Sequence, residues 1–193
     1  FLGRLAFRYN DADTLEYNST RDEQQTQEDK AVRLKLSWFL SDTLTANFTG
    51  LYAESLTKGY TQSLFIASDR SMRVFREYDP QTEADAYDQN TSTDAPTRSD
   101  REVKAASLSL IWRPDELMGI TAPELTTIAS WSEVITPYSL DVDYSPVPLV
   151  AFNEPPKGNP YTAEAIEVRL AGGLDAPFDW GEGTECVGCV PSH

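Results

Sequence analysis

The chain has 193 residues, and 31 Asp and Glu outnumber 16 Lys and Arg to leave a formal net charge of -15. So acidic a balance argues against a nucleic-acid partner, whose phosphates need neutralising cations, and against an anchor on an anionic lipid surface. It fits a soluble acidic protein, or long acidic loops carried on another scaffold.

The sequence begins at Phe1, its only methionines are Met72 and Met118, and it carries no basic-then-apolar leader. The expectation is a removed leader or a chain cut from a longer one. No apolar run is long enough for a membrane helix. Barrel strands alternate apolar with polar residues, so low hydropathy leaves a membrane barrel open.

Period-two alternation is the main local signal. Leu5, Phe7 and Tyr9 share one face against Arg4, Ala6 and Arg8. Val32, Leu34, Leu36 and Trp38 then alternate with Arg33, Lys35 and Ser37. A turn is expected at Ser41-Asp42. Beyond it, Leu44, Ala46, Phe48 and Tyr52 alternate with Thr43, Thr45, Asn47 and Thr49. Lys30 to Tyr52 therefore predicts an antiparallel hairpin, since a helix would scatter these apolar positions around its circumference. Further strands are expected over Ala106, Leu108, Leu110 and Trp112, over Leu125 to Trp131, over Ile166 to Leu170, and from Phe178-Asp179-Trp180 onward. Leu34, Leu36, Phe48, Leu108 and Leu110 are predicted on one surface, opposite Arg33, Lys35 and Thr45.

The links between these strands are expected to alternate in length. Residues 11–30, 53–103 and 133–162 form the long links, and residues 41–42, 114–124 and 171–177 the shorter ones. An up-and-down outer-membrane barrel has this pattern, with short turns at one rim and long loops at the other. Residues 79–101 are polar and expected to be poorly ordered or loosely packed. Tyr60 to Tyr78 is more apolar, which suggests a strand extension or a small packed subelement. Trp38, Trp112 and Trp180 lie beside the shorter links, and Tyr9, Tyr52 and Trp131 beside the long ones. Two aromatic belts suit a barrel crossing both membrane interfaces. The same rings would fill the core of a soluble sandwich. Arg4, Arg8, Arg33, Lys35, Glu167 and Arg169 would face a wet lumen in a barrel, or solvent in a soluble sheet.

Gly3-Arg4-Leu5-Ala6-Phe7-Arg8-Tyr9 resembles a barrel strand of TonB-dependent receptors. Ala31 to Trp38 followed by Ser41 to Thr45 looks like the hairpin those receptors carry after it. Leu125 to Ser130 with Asp141-Val142-Asp143-Tyr144-Ser145, and Glu164 to Leu170 with Pro177 to Trp180, resemble further strand-and-loop units. The resemblance spans most of residues 1–180. It implies an all-β fold of antiparallel up-and-down strands, here a partial transmembrane β-barrel with long acidic loops. About six or seven strands are expected over residues 1–180, and an irregular Cys-containing tail over 181–193. The family implies a 22-stranded barrel around a plug domain in the outer membrane of a Gram-negative bacterium. It also implies energy from the TonB complex and import of a scarce ligand such as an iron-siderophore, cobalamin, haem or an oligosaccharide. The sequence contains neither a plug nor a TonB box.

Cys186 and Cys189 have the spacing of a zinc or redox pair, but His193 is the one further soft ligand. A local disulfide or free thiols are expected instead. Asp11 with Asp13, and Asp141 with Asp143, are expected as solvated loop acid, because no complete calcium loop surrounds them. A single His excludes most His-dependent triads, and no phosphate loop or dinucleotide fingerprint occurs. Asn18-Ser19-Thr20, Asn47-Phe48-Thr49 and Asn90-Thr91-Ser92 fit the glycosylation sequon, a short pattern that recurs by chance. No enzyme, cofactor or metal is therefore expected. A transporter would draw ligand contacts from the loop residues Tyr60, Phe65, Arg70, Arg73, Tyr78, Tyr138 and Tyr144. From the strands it would use Arg4, Arg8, Arg33, Lys35 and Arg169. The alternative is a soluble secreted all-β module, such as a carbohydrate- or surface-binding sandwich. The discriminator is whether a second sheet covers the apolar face.

Overall fold

The computed structural model describes residues 1–59, 64, 66–85, 87, 89–117, 120–153, 158–174 and 190–191. In chain order the elements are β1 (Leu2–Asn18), β2 (Glu23–Phe39), β3 (Leu44–Lys58), α1 (Asp69–Tyr78) and β4 (Asn90–Thr91). They continue with β5 (Arg98–Trp112), β6 (Glu116–Leu117), β7 (Ile120–Ile135), β8 (Tyr138–Asp141), β9 (Ala151–Asn153), β10 (Tyr161–Leu174) and β11 (Val190–Pro191). The fold is all-β. Six long strands of 14–17 residues, β1, β2, β3, β5, β7 and β10, form an antiparallel meander in that order. The sheet is not closed into a barrel. Among the described residues no helix is long and apolar enough to cross a membrane.

The predicted hairpin is present. Leu36 lies opposite Phe48, and Phe39 opposite Thr45, across the turn at 40–43. Ser41 closes that turn by accepting the Leu44 amide on its hydroxyl at 3.0 Å. The strands, however, run well past their predicted ends. Residues 11–30 are not a long loop: β1 and β2 stay paired from Leu2↔Ser37 to Asn18↔Glu23, joined by a tight turn at 19–22. The polar run forms a ladder because its side chains are either solvated or, like the buried Asn18 and Gln25, hydrogen-bonded, so no apolar alternation is needed to hold it. The register shifts once between Asp13 and Tyr17.

Two further expectations are corrected in the long links. Part of 60–78 is the helix α1, where the Ser68 hydroxyl caps the Ser71 amide at 3.1 Å. Within 79–101, the described residues at its two ends are not loosely packed, and from Arg98 on they belong to β5. Asp79, Thr82, Thr91, Ser92, Thr93 and Thr97 are all buried. They hold the β1–β2 turn through polar contacts. The Asn18 side-chain amide donates to the Thr93 hydroxyl at 2.8 Å and to its carbonyl at 3.0 Å. The Ser19 and Thr20 hydroxyls donate to the Asp79 carboxylate at 2.5 and 2.9 Å. Hydrogen bonds, rather than apolar area, hold these residues, with the buried Thr82 hydroxyl the exception that finds no partner among the described residues. Among the described residues the buried apolar side chains are few and small, namely Ala46, Ala95, Pro123 and Pro146.

The expected strand from Phe178 and the cysteines of the 181–193 tail lie outside the described residues. Within that tail, β11 pairs with Ala163 and Glu164 of β10. Long-strand contacts run only between sheet neighbours, and no second sheet or helix lies against either face among the described residues.

Candidate functional site

The registers separate the meander into two unlike faces. On one, Leu36, Phe48 and Leu108 stand side by side on β2, β3 and β5, and Ala129 and Ile166 continue the row on β7 and β10. Leu5, Phe7, Leu34 and Val168 belong to the same face. These side chains are unusually open. Phe7 is 70% exposed, Ile166 57% and Leu108 42%. The predicted facing of Leu34, Leu36, Phe48, Leu108 and Leu110, opposite Arg33, Lys35 and Thr45, is the observed one.

This apolar band has sharp limits. At one end lie Phe1, Trp38 and Trp112, with the Phe1 and Trp38 rings 5.8 Å apart. At the other lie Tyr9, Tyr52 and Trp131. One step further along each strand the same face becomes charged. Lys30 pairs with Glu28 at 2.6 Å, and Arg98 with Asp100 at 2.7 Å. Lys104 bridges Glu102 and Glu133. The Tyr9 hydroxyl reaches the Asp11 carboxylate at 3.3 Å, and the Tyr52 hydroxyl that of Glu54, so each ring lies in the band with its polar tip in the charged zone. On β3 the band runs from Leu44 to Tyr52, about 27 Å along the strand at ~3.4 Å per residue.

The opposite face is mainly polar, with Leu51, Val103, Ile111 and Ile128 set among its Ser, Thr, Asn and basic side chains. Ser37 donates to Asn47, and Ser55 to Asp29, each at 2.7 Å. Arg4, Arg8, Arg33 and Lys35 come together on the β1–β2 part of this face, with Arg4 directly opposite Lys35. A groove of about 290 Å³ continues from Arg33 and Lys35 past Thr49, Ser107, Ser130 and Ser132. A second groove of about 280 Å³ holds Arg8, Asp29 and Arg101. Arg101 and the hydroxyl row escaped the sequence analysis. Period two extended beyond Val103 would have placed Arg101 there.

The other predicted contact residues do not join this group. Arg169 shares the polar face but lies on β10, four strands from β2, where it pairs with Glu167. Arg70, Arg73 and Tyr78 are on α1. Tyr138 stacks on Phe152 at 5.3 Å, joining β8 to β9. Tyr144 lies in the 142–150 link with φ 53°. Tyr60 and Phe65 lie outside the described residues.

Asp141 is not solvated loop acid. It is fully buried, and its carboxylate accepts the Asp143 and Tyr144 amides at 3.1 and 3.2 Å. Its oxygens also lie within 4.8 Å of carboxylate oxygens of Asp94 and Asp143. Burial, then the Asp143 charge, push its acidity weaker than an ordinary Asp. Asp79 behaves oppositely. Burial opposes its ionisation, but Ser19, the Gln81 amide and Thr20 outweigh it and hold the carboxyl below its usual value.

The class these features define is an open, antiparallel all-β meander with one exposed apolar face and one polar face. No family model, curated protein or solved structure matches the chain, and nothing in these comparisons identifies a TonB-dependent receptor.

Proposed function

We propose that this chain forms part of the wall of an outer-membrane β-barrel, with its apolar face against lipid and its polar face toward a wet lumen. The single observation that carries the reading is the uncovered apolar band between two aromatic rims. A soluble sandwich buries such a face under a second sheet. In a bilayer the lipid covers it, and rings with one wet edge settle at the two interfaces. Tilted by about 40°, the β3 band gives about 20 Å of height along the membrane normal, near the ~25 Å band of such barrels.

Six long strands are fewer than the ~8 of the smallest barrels. Among the described residues the free edge of β1 is paired only at Tyr17 and Asn18, and that of β10 only at Ala163 and Glu164. Strands added on those edges would close the wall and satisfy their backbone groups. Within such a barrel the resemblance to TonB-dependent receptors supports active import of a scarce ligand. The energy would come through a plug domain and the TonB complex.

The test is fractionation of the expressed chain. The expected outcome is an insoluble chain that detergent is needed to hold in solution. Residues 1–193 produced alone should give no ligand uptake, since a plug and a closed barrel are what the proposed import requires. A monodisperse, detergent-free monomer with a cooperative melt would overturn the membrane reading and favour a soluble all-β binding module.

A further inference from the structure

We infer that the groove lined by Arg33, Lys35, Thr49, Ser107, Ser130 and Ser132 is a binding site for a small polyanion carrying carboxylate or phosphate groups. The inference rests on the polar face alone and stands whether that face meets a lumen or bulk water.

The cations there are unbalanced. On the apolar side Lys30, Arg98 and Lys104 each hold a carboxylate. On the polar side Arg113 and Arg169 do likewise. Among the described residues no ion pair reaches Arg4, Arg33 or Lys35. Arg4 and Lys35 also sit directly across the β1–β2 ladder, an arrangement in which like charges repel. In a chain of net charge -15 three uncompensated cations on one patch are not an effect of average composition.

Leu51, Ala105, Ala106 and Trp131 complete the lining of the groove, and its charged groups are all of one sign. No carboxylate lines it. Arg33 offers up to five N–H donors and Lys35 three, while neither can accept a hydrogen bond. The hydroxyls of Thr49, Ser107, Ser130 and Ser132 add donors that rotate to suit a ligand. The register fixes their placement, since Lys35, Thr49, Ser107 and Ser130 form one row across β2, β3, β5 and β7. A guanidinium matches a planar carboxylate or a phosphate with two parallel hydrogen bonds, and a lysine adds a point charge. The volume of about 290 Å³ suits a compact ligand. The neighbouring groove differs. There Asp29 lies with Arg8 and Arg101 and already supplies a negative charge.

The experiment is calorimetric titration of the purified full chain with citrate and, separately, with pyrophosphate. It is run in detergent micelles if the chain needs them and in buffer if it does not. At least one of the two should bind, and which one identifies carboxylate or phosphate as the preferred group. The double variant Arg33→Gln with Lys35→Gln should weaken binding about tenfold or more. Lys104→Gln on the other face should leave it unchanged. Raising NaCl from about 50 to about 500 mM should weaken binding several-fold, as screening requires. Circular dichroism and the melt of each variant separate lost binding from lost folding. The inference is overturned if neither anion binds or if the double variant binds as well as the parent. It is also overturned if a polyglutamate peptide binds more tightly than both, because the face would then take an acidic polypeptide.

Discussion

Removing the Asp79 carboxylate orphans the hydroxyl of Thr20 and the amide of Gln81 and leaves the Ser19 hydroxyl only the Thr91 carbonyl at 3.2 Å. The residue is buried, so water does not freely replace these bonds. Asp79→Ala should cost about 1–3 kcal/mol of the order of the 79–97 segment. Hydrogen exchange of the Ser19 and Thr91 amides should report it. The pH sign follows from the lowered acidity of Asp79. Its folded value lies below its unfolded value, so its contribution is fully present above the unfolded range near pH ~4. That contribution is lost as pH falls through the folded value. Faster exchange in the Asp79→Ala variant at neutral pH, with the difference disappearing in strong acid, is the expected outcome. Unchanged exchange at neutral pH would contradict the role assigned to the carboxylate. Asp79 and Asp141 were not legible in the sequence. Their partners include residues 19, 20 and 95, tens of positions away, and no local pattern announces them. Arg4, Arg33 and Lys35 were legible, because period two alone fixes the face of a strand residue.

At the scale of elements, the hairpin of β2 and β3 was readable because apolar alternation and a polar turn agreed over residues 30–52. The outer half of β1 and β2 was not. A ladder of polar side chains has the composition of a loop, and only pairing distinguishes them. The helix α1 left one usable signal, the Ser68 cap ahead of Asp69. The turn itself gives the sharpest element-scale prediction. Ser41→Ala removes the nearer acceptor for the Leu44 amide, leaving the Ser41 carbonyl at 3.4 Å, and should cost up to about 1 kcal/mol. The Leu36↔Phe48 register should survive, because a one-residue slip would carry every band residue to the polar face. Cysteine cross-linking at positions 36 and 48 checks this. Efficient cross-linking in the Ser41→Ala background is expected, whereas a switch to neighbouring positions would contradict a register set by the faces.

For the whole molecule, the decisive feature is a sheet whose apolar face carries no second layer among the described residues. The sequence carried this in the coincidence of the aromatic residues with the ends of the apolar runs. It could not carry the absence of a second layer, which is a property of the assembled chain. The most direct measurement is nitroxide scanning along β3, one label at a time from position 44 to 58, on the chain reconstituted into lipid vesicles. The account predicts oxygen accessibility that peaks at every second position, including 46, 48, 50 and 52. At 54, where the face turns charged, it should give way to accessibility toward a water-soluble relaxer. Labels at 45, 47, 49 and 51 should favour the water-soluble relaxer. A chain that stays out of the vesicles, or a scan with no two-residue period in oxygen accessibility, would contradict the claim that this face is built for lipid.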